Sequence, residues 1–303
     1  MCVQVGSHRP VANYSLHDVN TLTAEMIAKS AKECGVRHMV HFSHLGAHPE
    51  SFSKVLRTKG LSEEKVRHHM PEATILRPSF VFGTRDWCIN NLLMAVAGSP
   101  KLLIPWGDQG GLAPLSPVDV NDVTKAVVRV LQYPRTSKGR VVECSGPDLV
   151  SYKALCDELY REGSQTHELY KTHVLSDRET EEYLDLAENH DPVQTGQAVY
   201  WPVDIWRMLH PRLSPTSYLI PGDRSASDVL TLEDLKIKPH HMHQTFSFLD
   251  PRRYDEAFAR EMRERLNPLN RHGDAFVLEQ YMPPSMEEAH QARDPMPGTF
   301  LQQ

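Results

Sequence analysis

The sequence has no long uncharged apolar run, few cysteines and no surplus of basic side chains. Its longest apolar stretches are short ones such as 92–97, well below the roughly 18 residues that a membrane-spanning helix needs. The formal net charge of -6 leaves no basic stripe that could neutralise phosphates. We therefore expect neither a transmembrane segment nor a nucleic-acid partner.

Cysteine usage excludes a disulfide framework. The chain has 5 cysteines, an odd number, and no two of them form a Cys-x-x-Cys pair. Such a pattern favours a reducing compartment. The first six residues show neither a secretory signal nor a transit peptide, so they predict no destination.

Apolar periodicity alternates between strand and helix spacing along the first half of the chain. Strands are expected over 2–6, 37–43, 74–78, 101–105 and 140–144, and helices over 18–34, 53–69, 87–97, 122–131 and 152–160. Asp119 or Asn121 is the expected cap of the helix over 122–131. This alternation predicts a parallel sheet covered by helices.

Three motifs follow these strands and helices in an informative order. Ser43 ends a strand within Val-His-Phe-Ser-His-Leu-Gly, and Lys59 lies in the next helix within Val-Leu-Arg-Thr-Lys. Arg77 and Pro78 end the following strand, before Ser-Phe-Val-Phe-Gly. The order resembles the extended and atypical short-chain dehydrogenases, in which a serine ends a strand, a Tyr-x-x-x-Lys pair opens the next helix and an Arg-Pro segment lines the nicotinamide site.

That resemblance also predicts lost catalysis. In the family, tyrosine exchanges a proton with the substrate oxygen, lysine lowers the tyrosine pKa and holds the ribose, and serine orients the carbonyl. Ser43 and Lys59 match, but the tyrosine position, four residues before Lys59, is Val55. Valine has no titratable proton. Tyr14, Tyr133 and Tyr152 lie elsewhere along the chain, so we predict no catalytic residue and no enzyme activity.

The resemblance sets the fold class and the domain boundaries. We predict an α/β fold in which residues 1–160 form a partial Rossmann-like, short-chain-dehydrogenase parallel sheet. A smaller α+β region over 161–265 corresponds to the substrate domain. It contains an acidic stretch at 176–191 with little apolar periodicity, which predicts a surface insertion. A short apolar-polar unit at 227–235 and a charged helix at 253–266 complete it, and an extended, proline-containing tail follows over 266–303.

The glycine-rich phosphate loop of the family has no counterpart. Gly6 matches the glycine after the fourth strand of the family, so the first three strands, roughly 70 residues on family proportions, are expected to be missing. The glycines at 107–111 lie far downstream and lack a strand-turn-helix setting. An incomplete sheet exposes an edge, and we expect another chain to complete it.

Further motifs narrow the resemblance. Ser-His-Leu at 43–45, Leu-Arg-x-Lys at 56–59, Gly-Pro at 146–147 and Leu-Thr-Leu-Glu-Asp-Leu at 230–235 occur in order. They are similar to those of a dehydrogenase-like accessory subunit of mitochondrial respiratory complex I, alpha subcomplex subunit nine. The resemblance implies a non-catalytic subunit that binds NADPH without turnover and contacts other complex I subunits. It implies a peripheral position on the matrix side of the mitochondrial inner membrane.

The same resemblance implies the cofactor contacts, namely Gly6, Ser43, Lys59, Pro78 and Phe80. Ser43 could equally end a strand with a satisfied hydroxyl, and Lys59 could be a solvated helix lysine. Arg77 and Pro78 shape the following loop and line a nicotinamide site only secondarily.

Two other functions and one other site stay open. An active NADP-dependent reductase or epimerase with a missing N-terminal segment is the main alternative, and a free regulatory protein that senses NADPH is the second. His240, His241 and His243 invite a zinc reading, but no cysteine or carboxylate stands at a matching spacing, so we expect no metal site.

Overall fold

The structure is a computed structural model that describes ten segments of the chain, from the first residue to residue 246. The described residues are 1–3, 6–7, 13–83, 86, 101–107, 114–148, 150–156, 171–189, 203–209 and 229–246. The expected helices over 87–97 and 253–266 and the expected tail lie outside them. So does most of the expected helix over 152–160, of which 152–156 are helical.

Strands and helices are numbered in chain order. The strands are β1 (Cys2–Val3), β2 (Val40–Phe42), β3 (Thr74–Pro78), β4 (Val81–Phe82), β5 (Lys101–Ile104), β6 (Pro114–Leu115), β7 (Val118–Asp119), β8 (Val141–Cys144), β9 (Val150–Ser151), β10 (Lys171–Val174) and β11 (Val229–Thr231). The helices are α1 (Thr23–Glu33), α2 (Lys54–His69), α3 (Val120–Gln132), α4 (Pro134–Ser137), α5 (Asp177–Asn189), α6 (Val203–Met208) and α7 (Met242–Phe246).

The main sheet is parallel, as the alternation of strands and helices predicts. Within the described residues its strand order is β1-β2-β3-β8-β11. Cys2 pairs with Val40, His41 with Ile75, Leu76 with Val142, and Leu230 again with Val142 on the far side. The α/β, partial Rossmann-like fold is confirmed by this sheet and by the structural comparison given below.

Side chains that alternate along each strand bury both faces of the sheet. Ile75 points toward α1 and α2, where it meets Ala28 and Val66. Leu76 points to the other face and packs with Val123 of α3. Because parallel strands covered on both faces need apolar residues throughout, short continuous apolar runs such as that in β3 form them.

Helix α2 carries Val55 and Lys59, two of the residues that the family resemblance singles out. Ser53 caps its first turn by accepting a hydrogen bond from the Leu56 amide at 3.1 Å. The helix can approach the preceding loop closely because residue 60 is glycine. A Cβ on Gly60 would lie 2.4 Å from the carbonyl carbon of His48.

Helix α1 is preceded by a π-helical turn over Asp18–Leu22. Such turns insert one extra residue per turn and are rare in proteins, and they frequently mark functional sites. On the opposite face of the sheet, Asp119 caps α3 by accepting a hydrogen bond from the Asn121 amide at 2.7 Å. Of the two expected caps, Asp119 and Asn121, Asp119 is therefore the one observed.

A second group of elements extends beyond the carboxyl end of the main sheet's strands. Strand β4 pairs with β7, β5 with β10, and β6 with β9. Their side chains, with those of α5 and α6, contribute to an apolar cluster that includes Trp106, Tyr183 and Trp206. None of the helices that the structure describes is long and apolar enough to cross a membrane.

The acidic stretch at 176–191 is not an irregular surface insertion. Residues Asp177–Asn189 form α5, and Tyr183 and Leu184 are buried at 6% and 2% exposure in the apolar cluster. Neighbouring carboxylates stay on the surface, where Arg178 pairs with Glu182. The buried Tyr183 and Leu184 are adjacent in sequence, and an adjacent pair is too weak a signal for helical periodicity.

Candidate functional site

The family-matched residues meet at the carboxyl ends of three neighbouring strands. Gly6 follows β1, Ser43 follows β2 and Pro78 ends β3. Lys59 reaches the same edge from α2, since its ammonium donates to the Phe42 carbonyl at 3.3 Å. In open parallel sheets, ligands bind at this edge. The expected grouping of these residues is therefore present in the fold.

Lys59 is buried, with only 8% of its surface exposed. Burial lowers the pKa of its amine to about 8, while the neighbouring Glu63 carboxylate acts in the opposite direction. The alternative of a solvated helix lysine is wrong. Keeping an ammonium out of water costs free energy. The presence of a lysine at this position is therefore not explained by the usual role of lysine as a polar surface residue.

Gly6 lies directly against that ammonium. A Cβ on Gly6 would be 2.3 Å from Lys59 Nζ and 3.0 Å from Asn20 Oδ1. Any larger residue would have to displace the Lys59 head group. The lack of a side chain at Gly6 therefore leaves room for the Lys59 ammonium. The match of Gly6 to a family glycine does not by itself predict this role.

Asn20 is a site residue that the sequence analysis misses. It lies in the π-helical turn and is 1% exposed. Its Oδ1 accepts from the Ser7 amide at 2.7 Å, and its Nδ2 donates to Thr58 Oγ1 at 3.0 Å. Asn20 therefore joins the loop after β1 to the turn of α2 that carries Lys59. The only sequence signal is an asparagine inside an otherwise apolar helical stripe.

Ser43 ends β2 with its hydroxyl unsatisfied. Its amide donates to the Leu76 carbonyl at 2.7 Å, but its Oγ is buried and has no hydrogen-bond partner among the described residues. A strand end with a satisfied hydroxyl is therefore wrong for Ser43. A buried polar atom without a partner is costly and suggests a ligand or water contact.

Pro78 and Phe80 lie next to these strand ends and form one side of the candidate site, which we call its wall. The Pro78 carbonyl accepts from the Leu45 amide at 2.8 Å, which ties the loop after β2 to the end of β3. Phe80 is 6% exposed, and the His44 ring meets it edge-on with centroids 5.7 Å apart. Both residues contact the loop that follows Ser43.

Arg77 does not line this wall. Its guanidinium makes a bidentate pair with Glu63 of α2, with Nε to Oε1 at 2.9 Å and Nη2 to Oε2 at 2.7 Å. The pair fastens the end of β3 to α2, one turn beyond Lys59. The expected secondary role of Arg77 at a nicotinamide is therefore unsupported by its contacts.

Val55 lies one helical turn before Lys59 and is fully buried. It belongs to the apolar cluster together with Phe80, Phe82 and Trp106. The position of the family's proton donor is thus absorbed into the hydrophobic core.

The apolar cluster also contains Tyr152 and Tyr183, although both are distant from Val55 in sequence. The distance of Tyr152 from Val55 in the sequence therefore does not by itself exclude Tyr152 as a replacement proton donor. Burial raises the pKa of Tyr183, which is opposite to what proton transfer near neutral pH requires. Tyr133, by contrast, is exposed beneath the Arg129 guanidinium.

Two histidines of the proposed zinc motif pair with separate aspartates. His240 Nδ1 lies 2.8 Å from Asp122 Oδ1, and His241 Nδ1 lies 2.7 Å from Asp148 Oδ1. The side chain of His243 is outside the described residues. No group of three or more potential metal ligands occurs in the part of the chain that the structure describes.

Curated proteins with similar sequences include mitochondrial NADH dehydrogenase subunits. The chain is 36% identical over 157 residues to "NADH dehydrogenase [ubiquinone] 1 alpha subcomplex subunit 9, mitochondrial" of Arabidopsis thaliana, over 52% of this chain and 38% of that protein. It is 34% identical over 144 residues to the mouse protein of the same name, over 48% of this chain and 37% of that protein. The resemblance to subunit nine is confirmed.

The match has clear limits. It spans less than two fifths of the length of these relatives. A Neurospora crassa relative, "NADH-ubiquinone oxidoreductase 40 kDa subunit, mitochondrial", is 31% identical over 158 residues, covering 52% of this chain and 40% of that protein. No family model matches the chain.

The fold has solved counterparts. A nucleoside-diphosphate-sugar epimerase from Staphylococcus aureus superposes with a TM-score of 0.52 at 16% identity, covering 75% of this chain and 69% of that structure. At this identity the likeness establishes the Rossmann-like fold and nothing about the reaction.

Proposed function

We propose that this chain is a non-catalytic accessory subunit of mitochondrial NADH:ubiquinone oxidoreductase, complex I, that supports its assembly or stability. The observation that carries the proposal is the 36% identity to the Arabidopsis subunit nine over 157 residues. The fold then acts mainly as a packing surface between subunits. Its place is on the matrix side of the inner membrane, peripheral to the bilayer.

Loss of the chemical step supports a structural role. In the related dehydrogenases a tyrosine exchanges the proton, but here that position is the buried Val55. Tyr183 shares the cluster with Val55 but has a raised pKa, so it is a poor replacement. Val55 has no proton to exchange, so the residue at the family's donor position cannot act as the general acid.

Residual nucleotide binding is part of the proposal, with NADPH as the nucleotide. The buried, unpartnered Ser43 hydroxyl and the close approach of Gly6 to Lys59 fit a ribose and nicotinamide at this edge. Lys59 and Ser43 would bind it, with Pro78 and Phe80 as the wall. NADPH supplies a hydride in dehydrogenases. This chain's residues would bind and orient the nucleotide without delivering a proton.

Partners are the other subunits of complex I. Strand β1 lies at the edge of the main sheet within the described residues, and open strand edges are sites for added strands. A strand from a neighbouring polypeptide along β1 belongs to the same proposal.

Native electrophoresis tests the proposal. Mitochondrial membranes from cells that express the tagged full chain are solubilised mildly, separated without denaturation, stained for NADH dehydrogenase activity and analysed for peptides. We expect the tag in the band that stains. Migration only as a free chain would contradict the proposal and favour the NADPH sensor, and NADPH oxidation by the free chain would favour the reductase.

A further inference from the structure

A line of buried polar groups crosses from β2 to α2 beneath Lys59. His41 and Ser62 are both completely buried. His41 Nε2 lies 2.9 Å from Ser62 Oγ, and Ser62 Oγ lies 2.7 Å from the Lys59 carbonyl oxygen. The line ends at the backbone of the residue whose ammonium reaches the candidate site.

The proton positions along this line follow from the chemistry of the three groups. The Lys59 carbonyl can only accept a hydrogen bond, so the single hydroxyl proton of Ser62 points to it. The Ser62 oxygen then acts as acceptor toward His41, and His41 Nε2 must carry a proton. Burial, assisted by the Lys59 charge, lowers the pKa of His41 to about 3, so the ring is neutral and Nδ1 is bare.

The line connects the two parts of the site that must keep their spacing. His41 lies on β2 and Ser43 follows it directly, two residues later, so by strand alternation their side chains share the face that meets α2. Between them, the Phe42 carbonyl accepts from Lys59 Nζ. Helix α2 is thus held to β2 at two points, by the Ser62 hydroxyl at His41 and by the Lys59 ammonium at the Phe42 carbonyl.

We propose that His41 and Ser62 are positioning residues that fix the Lys59 ammonium relative to Ser43 through the hydrogen bonds His41 Nε2–H to Ser62 Oγ and Ser62 Oγ–H to Lys59 O. Part of this inference rests on the proposed nucleotide site, because the benefit of fixed spacing is cofactor affinity. Neither residue touches the nucleotide itself.

The test uses the full chain and two readouts. The first is titration of the Lys59 amine by NMR of carbon-labelled lysine, with Lys59→Met to assign the signal. The second is NADPH affinity. In Ser62→Ala the helix turn loosens and water reaches the ammonium, so the pKa of Lys59 should rise toward its ordinary value. NADPH affinity should fall about fivefold, the equivalent of one lost hydrogen bond.

Matched variants separate positioning from general damage. Ser137→Ala removes another completely buried serine, one that accepts from Thr74, and should leave both readouts unchanged. His41→Leu removes the donor and should act like Ser62→Ala, whereas His41→Gln retains an N–H at similar reach and should restore both readouts. Nitrogen-15 spectra should show His41 protonated on Nε2.

The outcomes distinguish this inference from the proposed function. If Ser62→Ala and His41→Leu fold yet leave the Lys59 titration at its wild-type position, the positioning role is wrong. If the pKa of Lys59 rises in these variants but the wild-type chain binds no NADPH, the positioning role of His41 and Ser62 is supported and the cofactor proposal fails. Should Ser62→Ala not fold, the pair His41→Leu and His41→Gln decides by the same criteria.

Discussion

The buried side of helix α2 has an apolar half and a polar half, one turn apart. Val55 and Leu56 pack with Phe82 and Trp106 in the apolar cluster. One turn later, Lys59, Ser62 and Glu63 face the strand ends, where they bond to Phe42, His41 and Arg77. The position that would supply chemistry has joined the core, while the positions that would hold a ligand remain polar.

The two halves also differ in what they contribute to stability. Val55 gains free energy from burial, whereas a buried lysine and an unsatisfied buried serine oppose folding. Stability alone would favour apolar residues at both positions. The polar half is therefore better explained by a ligand than by packing.

Breaking the ion pair of the polar half should have the largest effect. Glu63→Gln leaves the half-buried Arg77 guanidinium without its bidentate carboxylate, and we expect the free energy of unfolding to fall by about 4 kcal/mol. Glu72→Gln, which breaks the exposed Lys138–Glu72 pair, should cost less than about 1 kcal/mol. Equal losses of unfolding free energy in the two variants, measured by denaturant unfolding, would show that the Arg77–Glu63 pair contributes no more than an exposed pair.

The pH dependence of stability tests whether Lys59 is buried as an ammonium. Its pKa is about 8 in the folded chain against 10.5 ordinarily, so between these values the unfolded chain binds more protons. Stability should therefore rise with pH across that window, by up to about 3 kcal/mol. The rise is measured as the difference between wild type and Lys59→Met, with the exposed Lys32→Met as control. If the difference in stability between wild type and Lys59→Met does not change with pH, the Lys59 amine is exposed to water.

Restoring the family's tyrosine tests the apolar half. Val55→Tyr forces a larger side chain into a fully buried position and should cost about 2 kcal/mol, without starting NADPH oxidation. The same substitution at Val128, which is 44% exposed on α3, should change stability by less than about 0.5 kcal/mol. Turnover by the Val55→Tyr chain would mean that only the proton donor is missing.

Removing the hydroxyl of Ser43 should have the smallest effect on stability. Because its Oγ has no partner among the described residues, Ser43→Ala removes a group whose burial opposes folding and should raise the unfolding free energy slightly, by less than about 0.5 kcal/mol. Ser53→Ala, which removes the cap of α2, should cost about 1 kcal/mol. NADPH affinity should respond in the opposite order, falling only for Ser43→Ala. A loss of stability for Ser43→Ala would indicate a structural serine.

Local patterns in the sequence were enough to predict four of the five described strands of the main sheet. They predicted neither that β5 pairs with β10 outside this sheet nor that β11 joins it. Proline after an apolar run marks the end of β3, and the strand-helix alternation brings Ser43, after β2, and Lys59, from α2, to one edge. The confirmed α/β fold and the resemblance to subunit nine follow from such patterns.

Long-range polar contacts could not be read in the same way. Asn20 bonds to Thr58, which is 38 residues away, and His240 to Asp122, which is 118 residues away. A side chain's partner in another element leaves no periodic signal. This is why Asn20 was missed and why the pairing of His240 with Asp122 was not predicted.

We propose that the site holds a nucleotide without turning it over. The most direct measurement is the NADPH released when the purified native assembly containing this chain is denatured, counted per chain in wild type and Lys59→Ala, alongside NADPH oxidation by the intact assembly under inhibition of its main NADH reaction. The account predicts bound NADPH in wild type, much less in Lys59→Ala, and no oxidation that depends on this chain. Sustained oxidation that Lys59→Ala abolishes would contradict it.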